Sequence, residues 1–453
     1  MTALSAARGF PQLPPGFLFG TATAAYPVEG AWDADGKGRS IWDTFTHGGG
    51  GVVDDATGDV ASDHYRRWPE DVEMLADLGT NSHRFSVSWP RVQPTGRGPA
   101  NAAGLDHYDR LVDGLLAAGQ HPMATLYHWD LPQALEDDGG WLNRETAARF
   151  GEYAALVGER LGDRVTHWIP VQEPGIATML GYGIGRHAPG KRLSLNAFPA
   201  AHHLLMAHGA GAVALRSAGA RGAVGCANSH APMWPASDDD ADVGASKLLD
   251  AIWNATYTEA MLLGRYPEDL QPLMELVVRP GDMPLIRQPL DFYGINYATP
   301  VRVGAPSGDA DLPFELLPVL GRPTTDGGWP VVPEALQELL LLMRARYRAA
   351  LPPLVVTQVG CAYGTGPDEA GVVDDQARID FHRGHLQAVA TVVRQGVDVR
   401  GYFAWSLLDG FEWADGFSQR FGLVYVDHAT LARTPKRSFD WFRDLIAAQP
   451  RND

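Results

Sequence analysis

Residues 68–87, WPEDVEMLADLGTNSHRFSV, join two periodicities. Trp68, Val72, Leu75 and Leu78 recur at three- and four-residue spacing, as one face of an amphipathic helix requires. From Asn81 to Val87 the chain turns into a short β-rich run. The same couple recurs outward in both directions. Strands are expected at Phe17–Ala25, Asn81–Val87, His121–His128, Thr166–Glu173, Ala223–Ser229, Asp291–Ala298, Leu354–Val359 and Val399–Leu407. Helical patterns fall between them at Leu105–Ala118, Arg144–Leu161, Ala197–Ala218, Pro333–Arg348 and Asp374–Gln395. Such alternation implies parallel strands joined by crossover helices. Eight units in one chain favour a closed (β/α)8 TIM barrel over an open sheet. The expected class is therefore α/β, with residues 1–453 forming one domain, a tail over 1–12 and a loop over 300–330. That loop is rich in Gly, Pro and Asp and would lie on the active face.

The chain has 453 residues, 45% hydrophobic and 20% charged, enough to bury a large core without metals or disulfides. Its 37 Lys and Arg stand against 54 Asp and Glu, and the formal net charge of −17 repels phosphate backbones and anionic membranes. No nucleic-acid or membrane partner is expected. Cys226 and Cys361 are too few for a disulfide framework or a four-cysteine zinc site and fit a reducing compartment. The start MTALSAARGF lacks the apolar segment of a secretory leader, and the run Leu339–Met343 is far too short to cross a bilayer. The expectation is a soluble, cytoplasmic protein. His202, His203 and His208 in HHLLMAHG lack the spacing of zinc hydrolases, and Gly48–Gly51 lacks the Lys-Ser/Thr ending of a phosphate loop. No metal or cofactor is expected.

In barrels the chemistry sits at the C-terminal ends of the strands. There the chain places Arg84; His128, Trp129 and Asp130; Gln172 and Glu173; Asn228; Asn296; Gln358; and Trp405. Any one of these reads more simply as a residue capping the barrel. Together with Trp413 they read as one pocket, in which indole faces meet hydrogen-bonding groups. A sugar needs that mixture, having an apolar C–H face and a polar rim.

The runs FLFGTATAAYPVEG (17–30), DHYRRWPEDVEMLADLGTNSHRFSVSWPRVQP (63–94), TLYHWDLPQAL (125–135), GYGIGRHAPG (181–190), DFYGINYA (291–298) and GYFAWSLLDGFEWADGFSQRFGLVYVD (401–427) resemble glycoside hydrolase family 1, the β-glucosidase family. The resemblance implies a one-domain (β/α)8 barrel with neither metal nor organic cofactor. It also implies a retaining mechanism with two glutamates about 5–5.5 Å apart, an acid/base and a nucleophile. The family's acid/base lies in T-x-N-E-P after the fourth strand. Here PVQEP keeps Glu173 and puts Gln172 in place of Asn. The nucleophile lies in T-E-N-G after the seventh strand, where this chain reads TQVG, with Gln358 in the nucleophile position and Val359 following.

Further departures fall in the same implied pocket. Pro27 stands where the family has a sugar-binding Gln, and Ala298 where it has a Tyr that touches the nucleophile. His128, Trp405, Glu412 and Trp413 match its sugar-recognition set, and Arg84 its neighbour of the nucleophile. Glu412 argues against phosphorylated sugars. A neutral amide is a poor nucleophile and offers no charge to an oxocarbenium-like centre. Five departures together favour a remodelled site over one engineered change. The expectation is an enzyme on a glycoside or polyhydroxylated small molecule, with Glu173 as acid/base, no covalent glycosyl intermediate and a role in specialised metabolism. The alternatives are a non-catalytic glycoside-binding protein and a β-glucosidase with an engineered or compensated nucleophile. Cys361 is the nearest candidate replacement, though its type is more often packed in a core.

Overall fold

Strand β2, Ser82–Ser86, is buried along its whole length although four of its five residues are polar. Buried polar groups need partners, and the neighbouring strands supply them. The Ser82 hydroxyl donates to the His121 carbonyl at 2.8 Å, His83 Nδ1 meets Thr21 Oγ1 at 3.0 Å, and the Ala25 N–H donates to Ser86 Oγ at 2.7 Å. The computed structural model describes residues 10–308 and 312–450. Its central sheet contains β2 together with β1 (Leu18–Ala22), β3 (His121–Tyr127), β4 (His167–Val171), β5 (Ala223–His230), β6 (Phe292–Tyr297), β7 (Leu354–Val359) and β8 (Val399–Trp405). They close in the order β1-β8-β7-β6-β5-β4-β3-β2, every pair parallel. This is a single-domain (β/α)8 barrel, with all eight strands where the hydropathy pattern puts them.

The barrel is plugged at its lower end. Met123, Ile169, Ala227, Phe292, Val355 and Phe403, one from each of β3 to β8, form an apolar cluster separate from the main core. Gly20 of β1 admits the Phe403 ring, since a Cβ there would stand only 2.3 Å from it. The far larger second cluster packs the outer strand faces against the helices. Each large side chain buried there contributes about 1.5–3 kcal/mol.

Helices α1 (His64–Leu78), α2 (Ala102–Ala117), α3 (Glu145–Leu161) and α4 (Phe198–Ser217) follow the expected patterns to within a few residues. The connection after β5 contains Asp240–Asp250 and Thr256–Leu263, which the periodicity does not reveal. Thr256–Leu263 is buried at six of its eight positions, so it has no polar face to set up a helical alternation. In α4, His202 is held by Tyr266 at 2.8 Å and Asp282 at 2.9 Å, and His203 Nδ1 by the Trp141 carbonyl at 2.8 Å. These histidines are packing groups.

Two boundary expectations change. Of the tail over 1–12, residues 1–9 lie outside the described ones, but Phe10 packs edge-on to Trp441 at 6.0 Å and Gln449 Nε2 donates to the Pro11 carbonyl at 3.1 Å. The chain from Phe10 onward is therefore docked on the C-terminal helix Arg437–Ala447 and its end. The segment 300–330 carries strands Val301–Gly304 and Glu315–Leu317, which form a small sheet with Met233–Pro235; its residues 309–311 are outside the description. No helix among the described residues is long and apolar enough to cross a membrane.

Candidate active site

Barrel register assembles the site. Ala22 of β1 pairs with Arg84 on one side and Trp405 on the other, and Gln358 of β7 pairs with Asn296 of β6. Gln172 extends β4 by bridging to Ala227 of β5. Three donors thereby converge on the Gln358 side-chain oxygen: Arg84 Nη2 at 2.5 Å, Gln172 Nε2 at 3.2 Å and Asn296 Nδ2 at 3.5 Å. Thr357 fixes the Asn296 amide by donating to its Oδ1 at 2.7 Å. Three donors to one atom assign that atom as the amide oxygen. Gln358 is the partly exposed residue of β7, and its Nε2 is neither hydrogen-bonded nor among the buried unpartnered atoms. The nitrogen is therefore the accessible end of this side chain.

Glu173 follows Gln172 with its backbone in the left-handed region, φ 46° and ψ 60°, and donates its N–H to the Ala227 carbonyl at 2.8 Å. Residues other than glycine occupy that region at a cost. Burial raises the Glu173 carboxyl above its ordinary range, against the opposing pull of Asn296, Arg84 and Gln172. Arg84 is fully buried, and burial lowers its guanidinium to about 10 although Glu173 favours the charge. Its Nε and Nη1 have no protein partner among the described residues.

The wall is aromatic. Trp129 and Trp413 lie 4.5 Å apart between ring centroids, and His128 is 5.5 Å from Trp413 and 5.9 Å from Trp405. Burial, followed by Arg84, pushes the His128 imidazole well below its usual value, so it is neutral at neutral pH. The Trp405 indole donates to Glu412 Oε2 at 3.4 Å. Burial raises the Glu412 carboxyl to about 8, opposed by that bond and reinforced by Asp415 and Glu173. Beside Glu412 opens a small pocket lined also by Thr23, Pro27, Gly410, Gln419 and Phe421. Pro27 contributes an apolar wall there. Ala298, the first residue beyond β6, is partly exposed and has no polar group to offer Gln358.

The sequence reading misses Gln419 and Phe421, which come from the segment after β8 and carry no catalytic residue type. It also misses Tyr26 and Trp42, which support Trp413 at 6.2 and 4.8 Å. Tyr26 belongs to the run 17–30 and Gln419 and Phe421 to the run 401–427, whereas Trp42 lies outside every quoted run and carries no such signal. Some polar strand-end residues serve the barrel wall instead. Asn228 donates to Tyr293 at 2.8 Å, and His83 faces Thr21 and Thr23. Asp409 pairs with Lys436 at 2.8 Å and Arg420 at 2.9 Å. Cys361 is no candidate nucleophile, because it is buried and its thiol is raised to about 12 by that burial. No group of three His, Cys, Asp or Glu that could hold a metal occurs among the described residues.

The Glycosyl hydrolase family 1 model matches residues 10–450. The chain belongs to that family. It is 45% identical over 450 residues to thermostable beta-glucosidase B of Thermobispora bispora, covering 98% of this chain and 92% of the relative. It is 42% identical over 451 residues to a beta-glucosidase of Agrobacterium sp. (strain ATCC 21400), covering 98% and 97%. The solved structure of virulence factor SghA from Agrobacterium tumefaciens superposes with a TM-score of 0.94 at 41% identity, covering 99% of this chain and all of the other. This family 1 barrel thus has β-glucosidases among its relatives.

Proposed function

We propose that this chain is a divergent family 1 enzyme acting on a glycoside or polyhydroxylated small molecule, with Glu173 as its general acid/base and no covalent glycosyl-enzyme intermediate. The observation that carries the reading is Gln358, whose amide oxygen is occupied by Arg84, Gln172 and Asn296. Its exposed end is an amide N–H donor, whose nitrogen electron pair is delocalised into the carbonyl and is a poor nucleophile toward an anomeric carbon. Burial raises the Glu173 carboxyl above its ordinary range, which favours the form that donates a proton to an ether or hydroxyl oxygen of the ligand. Glu412, the other pocket carboxyl, is neutral below about pH 8 and is thus a weak substitute for a missing base. Trp129, Trp405, Trp413 and His128 would hold the ring, and Pro27 and Ala298 would reshape the pocket around it. Two free, buried cysteines support a reducing, cytoplasmic setting.

The test compares three proteins on an aryl β-glucoside and on a glycoside library followed by mass spectrometry. The parent is expected to release little glucose from the aryl glucoside yet to convert a library member, and Glu173→Gln to abolish that conversion. Gln358→Glu should raise aryl glucoside hydrolysis by about 10³-fold or more, with configuration retained. Rapid retaining hydrolysis by the parent would overturn the reading. Saturable binding without any product would instead identify a glycoside-binding protein.

A further inference from the structure

Arg84 forms no salt bridge among the described residues. Three arginines rank among the largest fully buried side chains, Arg84, Arg91 and Arg378. Arg91 Nε reaches Glu29 at 2.9 Å and Arg378 Nε reaches Asp375 at 2.9 Å. Arg84 meets only the neutral oxygen of Gln358, and two of its three nitrogens have no partner among the described residues. Beside it, both ring nitrogens of buried His128 are also unpartnered. The floor of the pocket is thus rich in donors, and its cation has no salt-bridge partner among the described residues. Burial works against the charge on both Glu173 and Glu412, although Glu173 still acts favourably on the guanidinium.

We propose that Arg84 and Gln358 form a binding site for a carboxylate, which enters along the partly exposed side of Gln358 and neutralises the buried guanidinium. A carboxylate offers two oxygens to the flat fork of an arginine and accepts the N–H of Gln358 as well. A neutral hydroxyl does neither. Placed there, the anion would lie in the pocket that also contains Glu173, so the reading deepens the proposed function by naming an acidic ligand class. The carboxylate has two sources. It is either carried by a polyhydroxylated ligand or supplied as a free small anion.

Equilibrium titration of the full chain, followed by calorimetry, separates these sources without relying on turnover. The probes are formate, gluconate, glucuronate and neutral glucose. At least one sugar acid should bind about tenfold or more tightly than glucose, a modest share of what a buried charged hydrogen bond supplies. Competition by formate shows that a free anion fills the site; binding by a sugar acid without competition from formate shows that the ligand carries the charge. Gln358→Glu places a resident carboxylate beside Arg84, and should erase the preference for acids while the melting transition persists. Sugar acids no tighter than glucose in the parent, or an acid preference that survives Gln358→Glu, would overturn the proposal. Neither result bears on whether Glu173 moves a proton, which the Glu173→Gln assay reads separately.

Discussion

Arg84 and Arg91 lie seven residues apart, both buried, and the barrel treats them in opposite ways. Arg91 is bonded to Glu29 at 2.9 Å and also donates to the Gly30 carbonyl at 3.2 Å, while its guanidinium lies 4.0 Å from the Tyr65 ring centre. Burial alone would lower it, but Glu29 leads the partners that raise it above its ordinary value. Arg84, with an amide where Arg91 has a carboxylate, moves the other way. The carboxyls repeat the contrast. Burial works to raise Glu29, yet Arg91, His107 and Tyr108 bring it below the usual range, whereas Glu412, with no cation against it, is raised. Charges that serve the scaffold are matched by opposite charges; Arg84 and Glu412 have no salt-bridge partner among the described residues.

The comparison breaks most sharply at Glu29. Glu29→Gln should destabilise the protein by about 3–5 kcal/mol, because it strands a buried cation that the fold has paired. Chemical denaturation measures the loss, and a change below about 1 kcal/mol would mean that Arg91 finds another anion.

Glu412 gives an intermediate effect with a fixed sign. Its folded value is about 8 against an ordinary 4.5. Below pH 4.5 both folded and unfolded forms hold the proton. As pH rises toward 8 the unfolded chain gives it up first, so the contribution to stability is lost across that window. Glu412→Gln removes the titration. Its melting temperature relative to the parent should therefore climb by about 2–5 °C between the two ends of the window, and a flat difference would contradict the buried, neutral carboxyl.

Arg84→Met should be the mildest of the three, within about 1 kcal/mol of the parent, since no ion pair is broken and a costly buried charge disappears. A loss as large as that of Glu29→Gln would show that Arg84 is a structural cation after all.

Much of this was legible in the residues. The eight strands stand out because barrel strands are covered on both faces and read as short β-rich runs between amphipathic helices. Residues at their ends converge because parallel strands share one direction. Thr256–Leu263 escaped notice because burial on most sides removes the polar stripe that marks a helix. Gln419 and Phe421 reach the pocket from a segment whose path depends on tertiary contacts, such as the Phe421–Trp329 ring pair at 5.8 Å. The sequence shows Gln358 in the expected nucleophile position. It does not show that three donors grip its oxygen, because Arg84, Gln172 and Asn296 belong to three other strands and their reach is set by barrel register.

Trp129, Glu173 and Trp413 share positive backbone angles, with φ of 74°, 46° and 50°. Each such residue costs about 1–3 kcal/mol where glycine would sit at ease. A selection for heat resistance alone would therefore drift toward glycine or asparagine at these positions, and would erode the proposed ligand site while the melting curve improved. Thermostable descendants of this barrel should be screened for ligand capture as well as for endurance.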